Sequence, residues 1–535
     1  MQDIVLEKEL DENTKKLITK MENEIESKDK EIDSLKKEVE ILKGHILNKN
    51  KKIFGKSSEQ VDSNQLSLFN EAEKESDLKV AEPEIEEITY TRKKSTSNIG
   101  KKENLSNLEV VVIEHRLEEG EAICNECHST LVEIGKKEKD ILKYEPAKLY
   151  VEKHITYSYA CKSCEEKTGE ANIVCAKTPK TFLHKSMASN EIVAHAICLK
   201  YLYSLPLYRQ ENYFKMLGAN LSRQTLSNWI ISSAKEFQVV YDLMKEELLK
   251  SNYIQADETS LVVIDAKGKE SRSKCYMWLY KTGGNDNSII LYEYQKTRSS
   301  SYPKSFLNGY SGFLQTDGYN GYNSVSDAKR LYCLAHIRRK YYDIVSTLNN
   351  EALKKSRAII GFNYCEEIYK LEKDLRKDYG EDEDFFKIRY KYRKEKLSSI
   401  LDKFEKYVSD EIEDALPKSP LGKALEYSKK VLPGMRRVLE DGELEIDNNA
   451  AERAIKPFVI GRKNWLFANT GKGAKASATL YSIIETAKSY DLVAEKYLLY
   501  LMDNMSKHET LTEEKLLELM PWSATLPENL KIENK

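Results

Sequence analysis

The chain has 535 residues, with 85 Lys+Arg against 87 Asp+Glu, a formal net charge of -2 and a mean hydropathy of -0.60. That length suits about three or four domains at the usual ~100 to 200 residues each, and no apolar run approaches the ~18 residues that would span a bilayer. Near-neutral charge excludes a uniformly basic nucleic-acid binder, so any DNA-binding surface must come from segregated charge. The opening Met-Gln-Asp-Ile-Val-Leu lacks a basic region followed by an apolar stretch, which predicts a cytoplasmic protein with no membrane partner.

Residues 15–48 carry a heptad repeat, with Ile18, Ile25, Ile32, Val39 and Ile46 at one seam position and Met21, Lys28, Leu35 and Leu42 at the other. β-branched residues at the first position and Leu at the second favour a parallel two-stranded coiled coil, and Lys28 in the seam restricts register at some cost in stability. The expectation is a homodimer joined through residues 1–54; the alternative is one amphipathic helix folded back on the body of the protein. Residues 55–107 are rich in Glu, Lys, Ser, Thr and Asn with few large apolar side chains, a linker composition. The short basic runs within it read as solvated.

Residues 108–185 contain Cys124-Asn-Glu-Cys127 and Cys161-Lys-Ser-Cys164, two Cys-x-x-Cys pairs separated by thirty-three residues. Each pair makes a knuckle offering two thiolates, and two knuckles complete a closed tetrahedral structural zinc site. Disulfides compete with this reading, but a reducing compartment disfavours them. His115, His128, His154 and Cys175 lie nearby as possible replacements, while Cys198, Cys275, Cys333 and Cys365 read as buried small hydrophobes.

Residues 186–250 read as helical. In Leu221-Ser-Arg-Gln-Thr-Leu-Ser-Asn-Trp229, a helix capped by Ser222 would present Arg223, Gln224 and Asn228 beside buried Leu226 and Trp229. This resembles the second helix of a helix-turn-helix, with Gln and Asn suited to adenine edges and Arg to guanine or phosphate. A plain helical packing unit is the competing interpretation.

From Tyr253 the pattern turns to strands: 253–264, 274–280 and 288–294, separated by turn residues in an antiparallel meander. Alternation places Gln255, Asp257 and Thr259 on one face and Ile254, Ala256 and Glu258 on the other, so Asp257 and Glu258 cannot share a site. Asp257 is preferred, with Glu258 and Asp265 as substitutes. After a short helix at 302–307, a strand at 312–316 ends at Asp317, where sheets of this kind build their sites. A fifth strand and helix follow in 331–340, where the basic cluster with Arg338 and Arg339 could line a DNA groove; His336 suits a structural hydrogen bond or a contact to substrate phosphate. Residues 343–440 read as long charged helices inserted into the core and closing at Leu432-Pro-Gly434.

Asp447, Asn448 or Asn449 would cap the next helix, placing Glu452 near its positive end and leaving Pro457 to limit it. Arg453, Lys456, Arg462 and Lys463 flank the acid and suit the DNA backbone. Trp465 is suited either to stacking on a base or to the core. The helix from Ala474 to Ser489 reads as core. Asp257, Asp317 and Glu452 together offer the hard oxygen ligands that Mg²⁺, or Mn²⁺, prefers.

The order of Lys-Ile-Phe-Gly-Lys-Ser-Ser-Glu, the double Cys-x-x-Cys, Leu-Ser-Arg-Gln-Thr-Leu, Ala-Asp-Glu-Thr, Thr-Asp-Gly-Tyr, Cys-Leu-Ala-His-Ile-Arg-Arg and Asn-Asn-Ala-Ala-Glu-Arg-Ala-Ile resembles the bacterial transposases of the insertion sequence 66 family. The resemblance spans nearly the whole chain. It implies a multidomain α+β protein whose ribonuclease-H-like catalytic core, 251–342 and 441–500, is interrupted by the helical insertion and followed by a tail at 501–535. It also implies an Asp-Asp-Glu triad, falling on Asp257, Asp317 and Glu452. Such a trio would hold two Mg²⁺ or Mn²⁺ ions for in-line attack on phosphodiesters by water and then by the freed 3′-hydroxyl. The expected partners are element ends, target DNA, a second protomer and accessory proteins of the same element. Two rival classes stay open: a nuclease of the same fold that does not join strands, and a non-catalytic zinc-containing DNA-binding regulator.

Overall fold

The computed structural model describes residues 20–21, 23–28, 112, 147–161, 172–177, 180–264, 272–284, 287–507 and 512–532, with Cys161, Asn172, Arg272, Ser273 and Asn350 described by their backbone alone. The chain divides into a unit of Met1–Gly55 with Val151–Ile532 and a unit of Lys56–Tyr150 with Glu533–Lys535. In the second unit, Val112 and residues 147–150 have no regular structure. In the first, residues 20–21 and 23–28 are helical, and the seam residues Met21 and Ile25 are exposed. The other heptad positions, apart from Lys28, lie outside the described residues.

Strands β1 (Ser158–Cys161) and β2 (Asn172–Cys175) pair antiparallel, with Ser158 opposite Cys175 and Cys161 opposite Asn172. Cys161, the first cysteine of the second pair, therefore stands at the end of a two-stranded ribbon. Cys124, Cys127 and Cys164 lie outside the described residues.

Four helices follow: α1 (Asn190–Tyr201), α2 (Leu207–Met216), α3 (Arg223–Glu236) and α4 (Gln238–Lys250). Pro206, in extended backbone, immediately precedes α2. Gly218, at φ +93°, makes the left-handed turn leading toward α3, a conformation that favours glycine. Ser222 caps α3 as its sequence position predicts, its hydroxyl accepting the Thr225 N–H at 3.1 Å, and Leu226 and Trp229 are buried.

The central sheet contains β3 (Tyr253–Ile264), β4 (Arg272–Thr282), β5 (Ile290–Gln295), β6 (Phe313–Thr316) and β7 (Lys329–Tyr332) in the order β5-β4-β3-β6-β7. β3 pairs antiparallel with β4 and parallel with β6, so the longest strand sits at the centre. Helix α5 (Ser301–Phe306) connects β5 to β6, and α6 (Leu334–Val345) follows β7.

The insertion comprises α7 (Asn350–Lys355), α8 (Ala358–Tyr379), α9 (Phe385–Tyr392), α10 (Ser398–Asp414) and α11 (Pro420–Met435), with a wider π turn at Arg393–Leu397 between α9 and α10. α11 does not close at Pro433 but runs on to Met435. Gly434 is pressed against the Tyr332 ring so closely that a Cβ there would overlap it, and this contact holds the last turn on β7. The insertion and the sheet share one hydrophobic core, in which Tyr253, Phe313 and Leu331 join Tyr341, Leu401, Phe404 and Val431.

Then come α12 (Asn449–Trp465), α13 (Gly471–Lys488), α14 (Ala494–Lys507) and α15 (Glu513–Glu518). Pro457 lies inside α12 rather than limiting it. Packing of the helix on β3 and β4 outweighs the roughly 3 kcal/mol that an interior proline costs, and the Tyr292 hydroxyl bonds the Ala454 carbonyl nearby. α13 is core, as its composition predicts, and it also closes the sheet edge. Ser482 Oγ accepts the Tyr292 N–H at 2.8 Å and Thr486 Oγ1 the Ile290 N–H at 3.0 Å, so β5 does not present a bare edge there. Among the described residues no helix is long and apolar enough to cross a membrane.

Candidate active site and nucleic-acid surface

The last rung pairing β3 with β6 is Gln255 with Gln315, and Asp257 and Asp317 each lie two residues beyond it. Asp257, within β3, and Asp317, just past the end of β6, therefore stand at the same height on adjacent parallel strands. Below them Gln255 Nε2 donates to Gln315 Oε1 at 2.7 Å and to the Asp447 carbonyl at 3.2 Å. Asn448 Nδ2 donates to the Ala256 carbonyl at 2.9 Å, and the Asn448 N–H reaches Cys333 Sγ at 3.1 Å. These bonds pin the start of α12 to the sheet end. Glu452 is one turn on, its N–H bonded to the Asn448 carbonyl at 3.1 Å. Asn448 is the residue before the helix, but the capping bond comes from Asp447, whose Oδ1 accepts the Asn449 N–H at 3.1 Å.

The electrostatics reflect this crowding. Burial and then the neighbouring Glu258 push the Asp257 carboxyl up to about 8 against the bond from the Glu258 N–H, with Glu452 and Asp317 adding smaller upward pushes. Glu258 is also raised, first by burial, although the Tyr322 hydroxyl and Arg298 pull the other way. Its side chain turns to the opposite face from Asp257, as strand alternation requires, and is only 3% exposed. His336 Nδ1 lies 4.0 Å from Glu452 Oε1, and burial depresses the imidazole against the pull of Glu452.

A divalent cation fits the chemistry of this donor set. Glu452 Oε1 and His336 Nδ1 are both buried without a hydrogen-bond partner among the described residues. Three carboxylates, with one of them held so far above its ordinary range, make a site that a cation would neutralise. Cys333, His336 and Glu452 can also bring one ligand atom each within 4.8 Å of one another. Cys333 suits that role less well, because burial pushes its thiol up to about 12 and its sulfur already accepts the Asn448 N–H.

The basic residues divide by what they touch. Arg453, Lys456 and Lys463 lie on the exposed side of α12, with Lys472 and Lys475 exposed on α13. Arg462 instead turns to β3, donating to Thr259 Oγ1 at 3.2 Å and to the Ser260 carbonyl. Trp465 packs edge-on against Phe458 with ring centroids 5.5 Å apart. Arg338 pairs with Glu366 of the insertion, while Arg339 is exposed. On α3, Arg223 pairs with Glu211 at 3.1 Å, and Gln224 Nε2 donates to Asn228 Oδ1 at 2.9 Å on the exposed face.

Sequence reasoning missed Arg298 and Arg330, which flank Asp317. Arg330 Nη2 donates to Thr316 Oγ1 at 2.5 Å, and Arg298 Nη2 lies 4.0 Å from Asp317 Oδ2. Neither stands in a basic cluster, so only the fold draws attention to them.

A DNA-binding zinc-finger protein of the transposase class is what the mixed helical and sheet body and the domain matches define. The chain belongs to the IS66 transposase family: the model described as "Transposase IS66 family" matches residues 185–476, which include Asp257, Asp317 and Glu452. The model described as "zinc-finger binding domain of transposase IS66" matches 121–165, which include both cysteine pairs. A third, described as "Transposase C of IS166 homeodomain", matches 41–113. Among similar proteins of Sinorhizobium fredii (strain NBRC 101917 / NGR234), Uncharacterized protein y4jD is 28% identical over 414 residues, covering 75% of this chain and 78% of the relative. Uncharacterized protein y4qI is 29% identical over 371 residues, covering 66% of each chain.

Proposed function

We propose that this transposase binds the terminal inverted repeats of its element and carries out metal-dependent DNA strand cleavage and strand transfer, with Asp257, Asp317 and Glu452 as the catalytic acids. The observation that carries this reading is the convergence of two aspartates from adjacent parallel strands with a glutamate from a helix pinned over the same sheet end. The strand order, with the second strand antiparallel and the fourth and fifth parallel to the first, supports a ribonuclease-H-like core.

Asp257, Asp317 and Glu452 would hold Mg²⁺ or Mn²⁺, whose Lewis acidity would stabilise charge on a reacting phosphodiester and make an oxygen nucleophile available. The chain's own contribution is positional. The Gln255–Gln315 rung and Asn448 fix the three acids, and the neutral His336 ring packs beside Glu452 without adding charge. The exposed Arg453, Lys456 and Lys463 would grip the DNA backbone, Arg339 extends that surface, and Arg223, Gln224 and Asn228 on α3 would contact the repeat. In this organisation Cys124, Cys127, Cys161 and Cys164 close a structural zinc site, and the N-terminal heptads pair two protomers in the cytoplasm, one for each element end. Accessory proteins of the element would join that assembly.

The test uses full-length protein, oligonucleotides carrying the element ends and Mg²⁺. Wild type should cleave those ends, join pre-cleaved ends to target DNA, and lose both activities in Asp317→Asn and Glu452→Gln. Cleavage without joining would identify a nuclease; binding unaffected by the substitutions, with no cleavage by wild type, would identify a regulator.

A further inference from the structure

Arg298 stands in the loop between β5 and α5, beside Asp317 of the three acids. Its Nε donates to Glu258 Oε1 at 2.8 Å and its Nη2 reaches the same oxygen. The Tyr322 hydroxyl holds the other oxygen, Oε2, at 2.6 Å, so the carboxylate that anchors Arg298 is itself fixed. The guanidinium plane rests 3.8 Å from the centroid of the Tyr319 ring, and the Tyr319 hydroxyl bonds the Arg298 carbonyl. Rotation is thereby blocked from two directions. Nη2 points past Asp317 Oδ2 at 4.0 Å, Nη1 makes no hydrogen bond among the described residues, and the side chain is 39% exposed.

Arg330, on the other side of Asp317, is a useful contrast. Its Nη1 donates to Asn323 Oδ1 at 2.9 Å and its Nη2 to Thr316 Oγ1 and the Asp317 carbonyl, between the rings of Tyr322 and Tyr332. Its donors brace the turn after β6. Arg330 Nε has no partner among the described residues either, but it is buried, whereas Arg298 keeps Nη1 unpaired on a side chain that is open to solvent beside Asp317.

We propose that Arg298 binds the phosphate of the DNA strand cut at the Asp257–Asp317–Glu452 site, with Glu258 and Tyr319 as its positioning residues. This rests on the catalytic reading above. A phosphate brought to three carboxylates adds negative charge to negative charge, and a preorganised guanidinium offsets it without reorienting as the reaction proceeds. The planar fork suits phosphate oxygens, whereas a lysine would supply charge without the paired geometry.

Single-turnover cleavage of a terminal-repeat duplex by the full-length protein tests this, with melting temperature and Mn²⁺ binding measured alongside. Arg298→Gln should cut about 100-fold more slowly, as expected for loss of one preorganised donor, with Mn²⁺ binding retained. The slope of log binding constant against log salt should shrink by about 0.9, the value for one lost phosphate contact on duplex DNA. Arg298→Lys should recover the salt slope but only part of the rate. A rate within about threefold of wild type in Arg298→Gln would overturn the proposal, since one donor at the reacting group is worth much more. If Arg298→Gln does not fold, a slowed but normally melting Arg298→Lys supports the assignment, and a fully active Arg298→Lys with an unchanged salt slope overturns it as purely structural. Cleavage surviving in Asp317→Asn would instead defeat the catalytic reading itself; an inactive Asp317→Asn beside an active Arg298→Gln defeats only the role of Arg298.

Discussion

The sheet end and the helical insertion handle charge in opposite ways. At the sheet end the Asp257 carboxyl is lifted to about 8 by burial and by the neighbouring Glu258, Glu452 and Asp317, while Arg298 pairs with Glu258 and lies 4.0 Å from Asp317. In the insertion Arg389 and Arg393 are both 0% exposed, yet each donates to Glu372, and Arg389 also reaches Glu445 at 3.0 Å. The Nη1 atom of each also reaches backbone, Arg389 the Gly442 carbonyl and Arg393 those of Val438, Asp441 and Leu444. Burial alone would raise Glu445, but Arg389 and then Arg376 overcome it and hold the carboxyl at about 2. One region leaves charge for a ligand to neutralise; the other neutralises its own and becomes rigid. The carbonyls it binds lie just ahead of α12, so the insertion braces the segment that delivers Glu452.

The largest expected effect breaks the comparison on the sheet side. Asp317→Asn should reduce strand cleavage by at least ~10³-fold, in the range found when an acid of a catalytic group is removed. Asp257→Asn should do the same while raising the melting temperature of the metal-free protein, because it removes a carboxylate that its surroundings disfavour. Calorimetry showing a lower melting temperature would contradict the charge argument.

On the insertion side, Arg393→Ala leaves Glu372 with Arg389 alone and removes the donor to the Val438, Asp441 and Leu444 carbonyls, and should cost about 3–5 kcal/mol in urea unfolding, the usual penalty for breaking a buried pair. A loss below about 1 kcal/mol, typical of an exposed pair, would mean the network is not a brace.

Titration separates the regions further. Glu445 is depressed from 4.5 to about 2, so its contribution to stability is complete above about 4.5 and is lost as pH falls through about 2. Glu293 on β5 is raised by burial to about 7, with Gln295, Lys245 and Lys475 opposing, so its contribution is present below about 4.5 and is lost as pH rises through about 7. Melting temperatures across this range should show Glu445→Gln weakening the protein at neutral pH and flattening the acid limb. Glu293→Gln should stabilise it above neutrality.

The smallest effect tests the direct link between the regions. The Tyr369 hydroxyl donates to Asp447 Oδ2 at 3.0 Å, and Tyr369→Phe should cost about 1 kcal/mol in the same urea assay. No measurable change would place the brace wholly in the arginine network.

Local patterns made much of this legible in advance. The alternation of 253–264 defines β3 to the residue and separates Asp257 from Glu258, Ser222 caps α3, and the apolar run after Ala474 is buried in α13. Such features arise from neighbours in the chain, whose periodicity and capping chemistry are written in consecutive residues. Tertiary structure decided the rest: that α11 and α12 run through Pro433 and Pro457, that Arg462 turns to β3, and that beside Asp317 Arg298 is open to solvent while the unpaired Nε of Arg330 is buried. It alone joined Glu372 and Arg389 to Glu445 ahead of Glu452. Pairing across such separations depends on which side chains the folded core encloses together, and composition and spacing do not encode that.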